Sequence, residues 1–349
     1  MIFNSLTYLI FLLITVTVFW FLRPKKRVYL IVICSMVFYG FWSIKFISLM
    51  VISAVNDFYL SLLISKTNDK KKKKIFLYTS LFINLSLLFF FKYLFFFTSN
   101  LESILSLFSI EIDFPKYNIL LPLGISFYTF QTISYTIDVF RGFIKPEKKI
   151  SVYLCYVMFF PQLVAGPIVR ASEIVNQLHF KTKFEYSFLV SGVERILVGL
   201  FLKTVLADNI ASLVDDGFFM NPKLLSAIDV WTLSFLFGFQ IYFDFSAYSH
   251  IAIGSANLFG VLLPENFNFP YIATSLKDFW KRWHISLSSW IRDYLYLPLM
   301  GLKVRNKSTG GIEVKNSEKK INLTPLFLTW AIMGLWHGAN WTFVFWGVY

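Results

Sequence analysis

The chain alternates long apolar runs with short charged ones. Apolar stretches cover residues 2–22, 28–42, 46–64, 75–97, 119–140, 188–206, 230–263 and 326–345. About 20 apolar residues carry an α-helix across a hydrocarbon core roughly 30 Å thick. The pattern therefore predicts an all-α, polytopic membrane protein with about eight spans. The run 230–263 is too long for one straight span, and a break is expected near Asp244. Lys92 lies close to the end of its run, where a lysine can snorkel toward the headgroups. Residues 98–118 and 208–229 read as loops carrying acidic side chains. Residues 303–320, rich in Lys and Asn around Gly310 and Gly311, read as a flexible cytoplasmic loop.

Two stretches break the alternation. Residues 153–169 are apolar, yet Pro161, Gly166 and Pro167 interrupt them. Backbone groups freed by such interruptions cannot face lipid, so a re-entrant segment buried in protein is expected. Residues 276–295 place apolar side chains at 276, 279, 280, 283, 287, 290, 291 and 294, steps of three and four that make one helical face. The other face carries Lys277, Lys281, His284, Ser288 and Arg292. Tryptophan beside basic residues suits an interfacial amphipathic helix at the cytoplasmic boundary.

Composition agrees with a membrane protein. Hydrophobic residues make up 56% of the chain and charged residues 15%, against about 25% charged in soluble domains. A net charge of +13 would raise nucleic acid as a partner in a soluble protein. Here the basic residues cluster between apolar runs, so topology explains them and no nucleic-acid partner is expected. With the N-terminus outside, 27 of the 33 Lys and Arg fall on the inner side, in residues 23–27, 66–74, 141–149, 170–187 and 264–320. Only Lys45, Lys116 and Lys223 fall outside, and the positive-inside rule selects this orientation in the cell (inner or plasma) membrane. The first run lacks a basic leader and a small-residue cleavage site, so it reads as a retained span.

Candidate chemistry is sparse. Cys34 and Cys155 lie in apolar segments and imply neither a disulfide framework nor a zinc site. No HxxxH or CxxC pair is present, and no metal is expected. His179 reads as a solvated loop residue and His250 as part of a packed polar cluster. His337 lies in residues 326–345, a 20-residue stretch without Lys, Arg, Asp or Glu, read as one span. An imidazole there must find a hydrogen-bond partner, while Gly334, Gly338 and Ala339 leave room for a helix or a substrate. It is either a packed histidine or a general base where two reactants meet. Lys277, Lys281 and Arg292 likewise serve either as a membrane anchor or as a basic face for the phosphates of an acyl donor.

Several strings decide more. FWKRWHISLSSWIRDYLYLPL at 279–299 and GLWHGANW at 334–341 resemble the membrane-bound O-acyltransferases. The bacterial membrane subunits of alginate O-acetyltransferases are the nearest branch, and the exporters of D-alanine to teichoic acids are more distant. FPQLVAGP at 160–167, PENFNFP at 264–270, YFDFS at 242–246 and SYTID at 134–138 support the resemblance, which covers the chain from about residue 119 onward. It implies a single membrane-embedded acyltransferase domain over residues 1–349, a ring of helices around a thin centre. A tunnel there would bring a cytoplasmic acyl thioester toward an acceptor on the other face. It also implies that His337 is the catalytic histidine and His284 its partner, with Asp244 a candidate substrate contact. Ala247 and His250 stand where the family pattern leads one to expect Gly and Asp, which bears on the acceptor. Relatives are expected to continue past Tyr349, so the chain is expected to be a truncated form.

Acyl transfer to a hydroxyl needs a base and donors for an oxyanion. Histidine is the side chain whose ordinary pKa lies near neutrality. No GxSxG motif is present, which favours direct transfer over a serine acyl-enzyme. No tightly bound cofactor is expected. The expected donor is acetyl-CoA or another acyl thioester. The expected surroundings are membrane lipid, an extracytoplasmic polysaccharide acceptor and a secreted or periplasmic acetyltransferase partner. The competing readings are a polysaccharide or acyl-group transporter or flippase, and an inactive membrane scaffold.

Overall fold

The computed structural model describes residues 1–115, 119–164, 166–302 and 323–349. The loop expected over 303–320 lies outside them. Among the described residues, all regular secondary structure is helical. Helix α1 (Leu6–Phe21) starts at Ser5, whose hydroxyl accepts from the Tyr8 N–H, and α2 (Pro24–Gly40) starts on a proline with φ suited to a first turn. After α3 (Lys45–Lys66), Asp69 caps α4 (Lys70–Leu88). A π-helical turn (Phe89–Tyr93) then leads into α5 (Leu94–Ser106). Helix α6 (Ile125–Arg141) ends at Gly142, which takes the left-handed φ of +75° that a glycine adopts freely.

Next come α7 (Ile150–Met158), a short α8 (Ala171–Ile174) and α9 (Tyr186–Phe201). A second π-helical turn (Leu202–Ala207) continues into α10 (Asp208–Phe219). Reciprocal hydrogen bonds between Ser226 and Asp229 open α11 (Ala227–Asn257). The chain closes with α12 (Leu276–Arg282), α13 (Ile285–Ile291), a π-helical turn (Arg292–Tyr296), α14 (Leu297–Leu299), α15 (Thr324–His337) and α16 (Trp341–Val348). Among the described residues, the helical stretches Lys45–Lys66, Lys70–Ser106 and Tyr186–Phe219 are long and apolar enough to cross a membrane.

Several expectations are corrected. Residues 98–106 are helix, because α4 runs on through α5. The loop begins later and is folded back by the Glu102 carboxylate, which accepts from the Phe114 N–H at 2.8 Å. Residues 208–219 are also helix, because α9 runs on through the π-helical turn into α10, with Lys203 holding Asp208 at 2.8 Å where the two meet. Helix α11 does not break at Asp244. Lys203 donates to that carboxylate at 2.6 Å, so the charge is neutralised where it stands and the backbone has no cause to part. The stretch 276–295 is not one amphipathic helix, since it parts at Trp283 and His284. Nor is 326–345 one span, since it folds into two helices joined at Gly338–Asn340.

The chain forms two compact units. The first comprises Met1–Leu49 and Lys149–Ser286. Its α9 and α11 approach closely at Gly192 and Gly254, where any side chain would meet the facing backbone, the small-residue packing common in membranes. Arg27, from the basic stretch after α1, is buried and donates to the carbonyls of Leu22 at 3.0 Å and Thr182 at 3.0 Å. Nearly every described residue from 152 to 169 is buried. Backbone groups freed by its prolines are met by side chains. Ser35 accepts from the Phe160 N–H at 3.2 Å, and the Gln162 amide donates to the Tyr156 carbonyl at 2.8 Å.

The second unit comprises Met50–Lys148 and Leu287–Tyr349. Asp57 is wholly buried there and accepts from Ser80 Oγ at 2.6 Å and Asn84 Nδ2 at 2.7 Å. Asn84 Oδ1 accepts in turn from Ser53 at 2.7 Å and Thr132 at 3.2 Å, so α3, α4 and α6 share one polar knot. Such a knot is worth more in an apolar interior than in water. Phe130 stacks on Trp290 at 4.0 Å, and Tyr294 donates to Asp138 at 2.8 Å.

Candidate active site

His337 is the last residue of α15. Helix α16 folds back on α15 so tightly that a methyl group on Gly334 would strike the Phe343 carbonyl, and one on Gly347 the Trp330 carbonyl. The room left by Gly334 is thus taken by the chain's own next helix. Asn340 starts that helix by accepting from the Thr342 N–H at 3.0 Å. The imidazole rests edge-on against Trp336 at 4.8 Å and Trp346 at 5.0 Å, with its outer face exposed. Its Nδ1 lies 2.8 Å from the Met333 carbonyl. A carbonyl only accepts, so the neutral ring carries its proton on Nδ1 and presents the Nε2 lone pair.

Lys92 stands beside it, on the π-helical turn after α4. Its ammonium donates to the Trp336 carbonyl and to Ser126 Oγ at 3.3 Å, and lies 5.4 Å from the centre of the Trp336 ring. The side chain therefore turns into its own unit rather than snorkelling. A cation at the terminal carbonyls of α15 is favoured by the helix dipole. The sequence carries a signal for this role, since a lysine inside an apolar run is costly unless its charge has a partner there.

His284 belongs to the other unit and is 4% exposed. It joins α12 to α13 with φ +41°, a left-handed conformation unusual for a residue with a Cβ. Its ring meets Phe245 edge-on at 4.6 Å, and Phe245 packs on Phe267 at 5.2 Å. Residues from YFDFS and PENFNFP thus wall one histidine. Burial corrects its placement on the polar face with the lysines, because the break at 283–284 swings it inward.

The other candidates separate. Lys277 and Lys281 remain exposed on α12. Arg292 lies beyond the break, exposed in the second unit, with Nε 2.7 Å from Asp293 Oδ1. The three do not form one helical face. Asp244 is engaged by Lys203, which also holds Asp208 at 2.8 Å. His250 accepts at Nδ1 from Arg195 at 3.1 Å, the packed polar cluster expected of it, and His179 is half-buried. Cys34 and Cys155 are free thiols. Among the described residues, no three His, Cys, Asp or Glu side chains group as a metal site would require.

Comparison with known proteins settles the family. Residues 149–349 match the membrane-bound O-acyltransferase family model, more than half of the chain. The chain belongs to the membrane-bound O-acyltransferase family. Three named proteins are similar to it over most of its length. The Peptidoglycan O-acetyltransferase of Helicobacter pylori is 38% identical over 91% of this chain and 62% of its own length. The protein named "Probable alginate O-acetylase AlgI" of Azotobacter vinelandii is 36% identical over 100% of this chain and 67% of its own. The Teichoic acid D-alanyltransferase of Bacillus subtilis is 32% identical over 67% of this chain and 58% of its own. The matched region of this family member includes both His284 and His337.

Proposed function

We propose that the chain is the membrane-embedded part of an O-acyltransferase. It moves an acyl group, acetyl in the first instance, from a cytoplasmic thioester such as acetyl-CoA to a hydroxyl of an extracytoplasmic polysaccharide or cell-wall polymer. The names of the relatives support this range of acceptors, since they refer to peptidoglycan, alginate and teichoic acid. The reading includes the expected spans other than 326–345, an outside N-terminus, a cell-membrane location and a secreted or periplasmic acetyltransferase as partner.

The observation that carries the chemistry is the bond from His337 Nδ1 to the Met333 carbonyl. It fixes the tautomer whose Nε2 can accept a proton. In the proposed step Nε2 takes the acceptor's hydroxyl proton as the oxygen attacks the thioester carbonyl. The tetrahedral intermediate then loses the thiolate, the C–S bond breaks, and the imidazolium returns its proton to sulfur. An ester and a free thiol result, with no net proton taken up. His284 orients the thioester carbonyl or relays protons, and Lys277 and Lys281 attract the donor's phosphates.

The test is label transfer. Membranes containing the protein together with its polymer should move labelled acetyl from acetyl-CoA to polymer, and membranes with His337→Gln should not. Equal transfer by both would sink the assignment, and no transfer by either would leave a transporter or scaffold as the better account.

A further inference from the structure

We infer that Asn266 is a positioning residue for His284, the clamp that holds the left-handed turn on which this imidazole stands. The inference rests on the reading of His284 as part of the reacting site. The sequence period over 276–295 favours a single continuous helix, in which His284 would join Lys277 and Lys281 on the polar face. Something must hold the chain out of that helix. Asn266, from the PENFNFP string, is wholly buried beside the break.

Backbone bonds bracket the break on both sides. The Asn268 N–H donates to the Arg282 carbonyl at 3.0 Å, and the Ile285 N–H donates to the Asn266 carbonyl at 2.9 Å. The N–H of Ile285 is thereby taken from the helical bond that a continuous α12–α13 would need. The side chain adds a second hold. Asn266 Oδ1 accepts from Ser286 Oγ at 2.6 Å, and Asn266 Nδ2 donates to Ser249 Oγ of α11 at 3.1 Å. Ser286 Oγ also accepts from the Ile168 N–H at 2.9 Å, which ties the FPQLVAGP region to the same point. An amide is the side-chain group that accepts on one side and donates on the other. Aspartate could keep the bond to Ser286 but not donate to Ser249, and alanine could do neither.

The experiment uses the full chain in membranes, comparing the parent with Asn266→Ala, Asn266→Asp and Ser249→Ala. Two readouts are taken: modification of His284 by diethyl pyrocarbonate, located by mass spectrometry, and kcat and KM for the acyl thioester. In the parent, buried His284 should react far more slowly than half-buried His179. With Asn266→Ala, the released turn should let His284 react as fast as His179. The accompanying fall in kcat should be about 10²-fold, the scale of a misplaced reacting group, with KM for the donor changed much less. Asn266→Asp should recover part of both. Parent-like protection of His284 in Asn266→Ala, or a drop in thermal stability with unchanged labelling and kcat, would show Asn266 to be only a brace and overturn the inference. If Asn266→Ala does not insert, the other two variants decide, and parent-like labelling and kcat in both overturns it. If the parent transfers no acyl group, the functional reading fails separately, and the labelling comparison still tests the clamp.

Discussion

Lys92 donates to the main-chain carbonyl of Trp336, the residue before His337. A half-buried charge within an apolar run thus caps the helix that carries the proposed base. Lys92→Met keeps the length and removes the cap. It should lower kcat by about 10-fold to 10²-fold through misplacement of the imidazole, and Lys92→Arg should lower it less. Steady-state rates on protein of matched yield check this. A variant with parent kcat and only a lower melting temperature would reduce Lys92 to a structural role.

His337→Gln keeps polarity and much of the volume but cannot take a proton. Acyl transfer should fall by about 10²–10⁴-fold, because Thr342 and Asn340 offer no base nearby. Removal of a histidine that merely packs would instead cost about 1–3 kcal/mol of stability and spare the rate. Transfer rate and thermal denaturation measured on one preparation separate these outcomes.

Asn84 holds Asp57, Ser53 and Thr132 in one buried knot. Asn84→Ala would remove the donor to Asp57 Oδ2 and the side-chain acceptor of the Ser53 and Thr132 hydroxyls, in a place closed to water. It should destabilise the second unit by about 1–3 kcal/mol, read as a lower midpoint of unfolding in detergent. A midpoint equal to the parent's would mean that the freed groups find water or one another.

Lys277 and Lys281 are exposed on α12, whereas Arg292 pairs with Asp293 beyond the break. Reversing both lysines to Glu should raise KM for the acyl thioester, and added salt should mimic part of the effect by screening. Arg292→Glu should not add to it. If the lysine reversals leave KM alone, α12 is a membrane-surface helix without a role in donor capture.

The proposed orientation is checked by single cysteines in a background lacking Cys34 and Cys155. A cysteine at Asn221 should react with a membrane-impermeant thiol reagent in intact cells, and one at Asn68 only after the cells are opened. Labelling at Asn68 from outside would invert the scheme.

How much of this could be read from the amino acids follows from the range of each interaction. Hydropathy fixed the helical class because backbone polar groups in an apolar run must satisfy one another locally. The motif strings singled out His284 and His337. The period over 276–295 failed because a three-and-four-residue spacing counts only local contacts. The bonds from Asn266 and Asn268 to the segment around His284 come from an irregular stretch more than a dozen residues away. Likewise Asp244 reads as a break until Lys203, 41 residues earlier, supplies its partner. Lys92 reads locally as a snorkelling lysine for the same reason, since its carbonyl partner lies 244 residues along the chain.

The fold-back of α16 on α15 changes what the uncharged stretch 326–345 means for sidedness. A traverse carries the chain from one aqueous phase to the other, whereas a hairpin returns it toward the phase it left. The Lys and Arg of residues 1–349 do not decide between the two, because none of them lies in residues 321–349. The 14 residues of α15 measure about 21 Å at 1.5 Å per residue, against about 30 Å of hydrocarbon. In the proposed orientation, an α15 starting at the cytoplasmic surface and running along the bilayer normal would carry His337 past the midplane and leave it short of the far surface. Under the proposed function, a water-soluble donor following the hairpin inward and a polymer reaching in from outside would then meet at that tip without either crossing the whole bilayer.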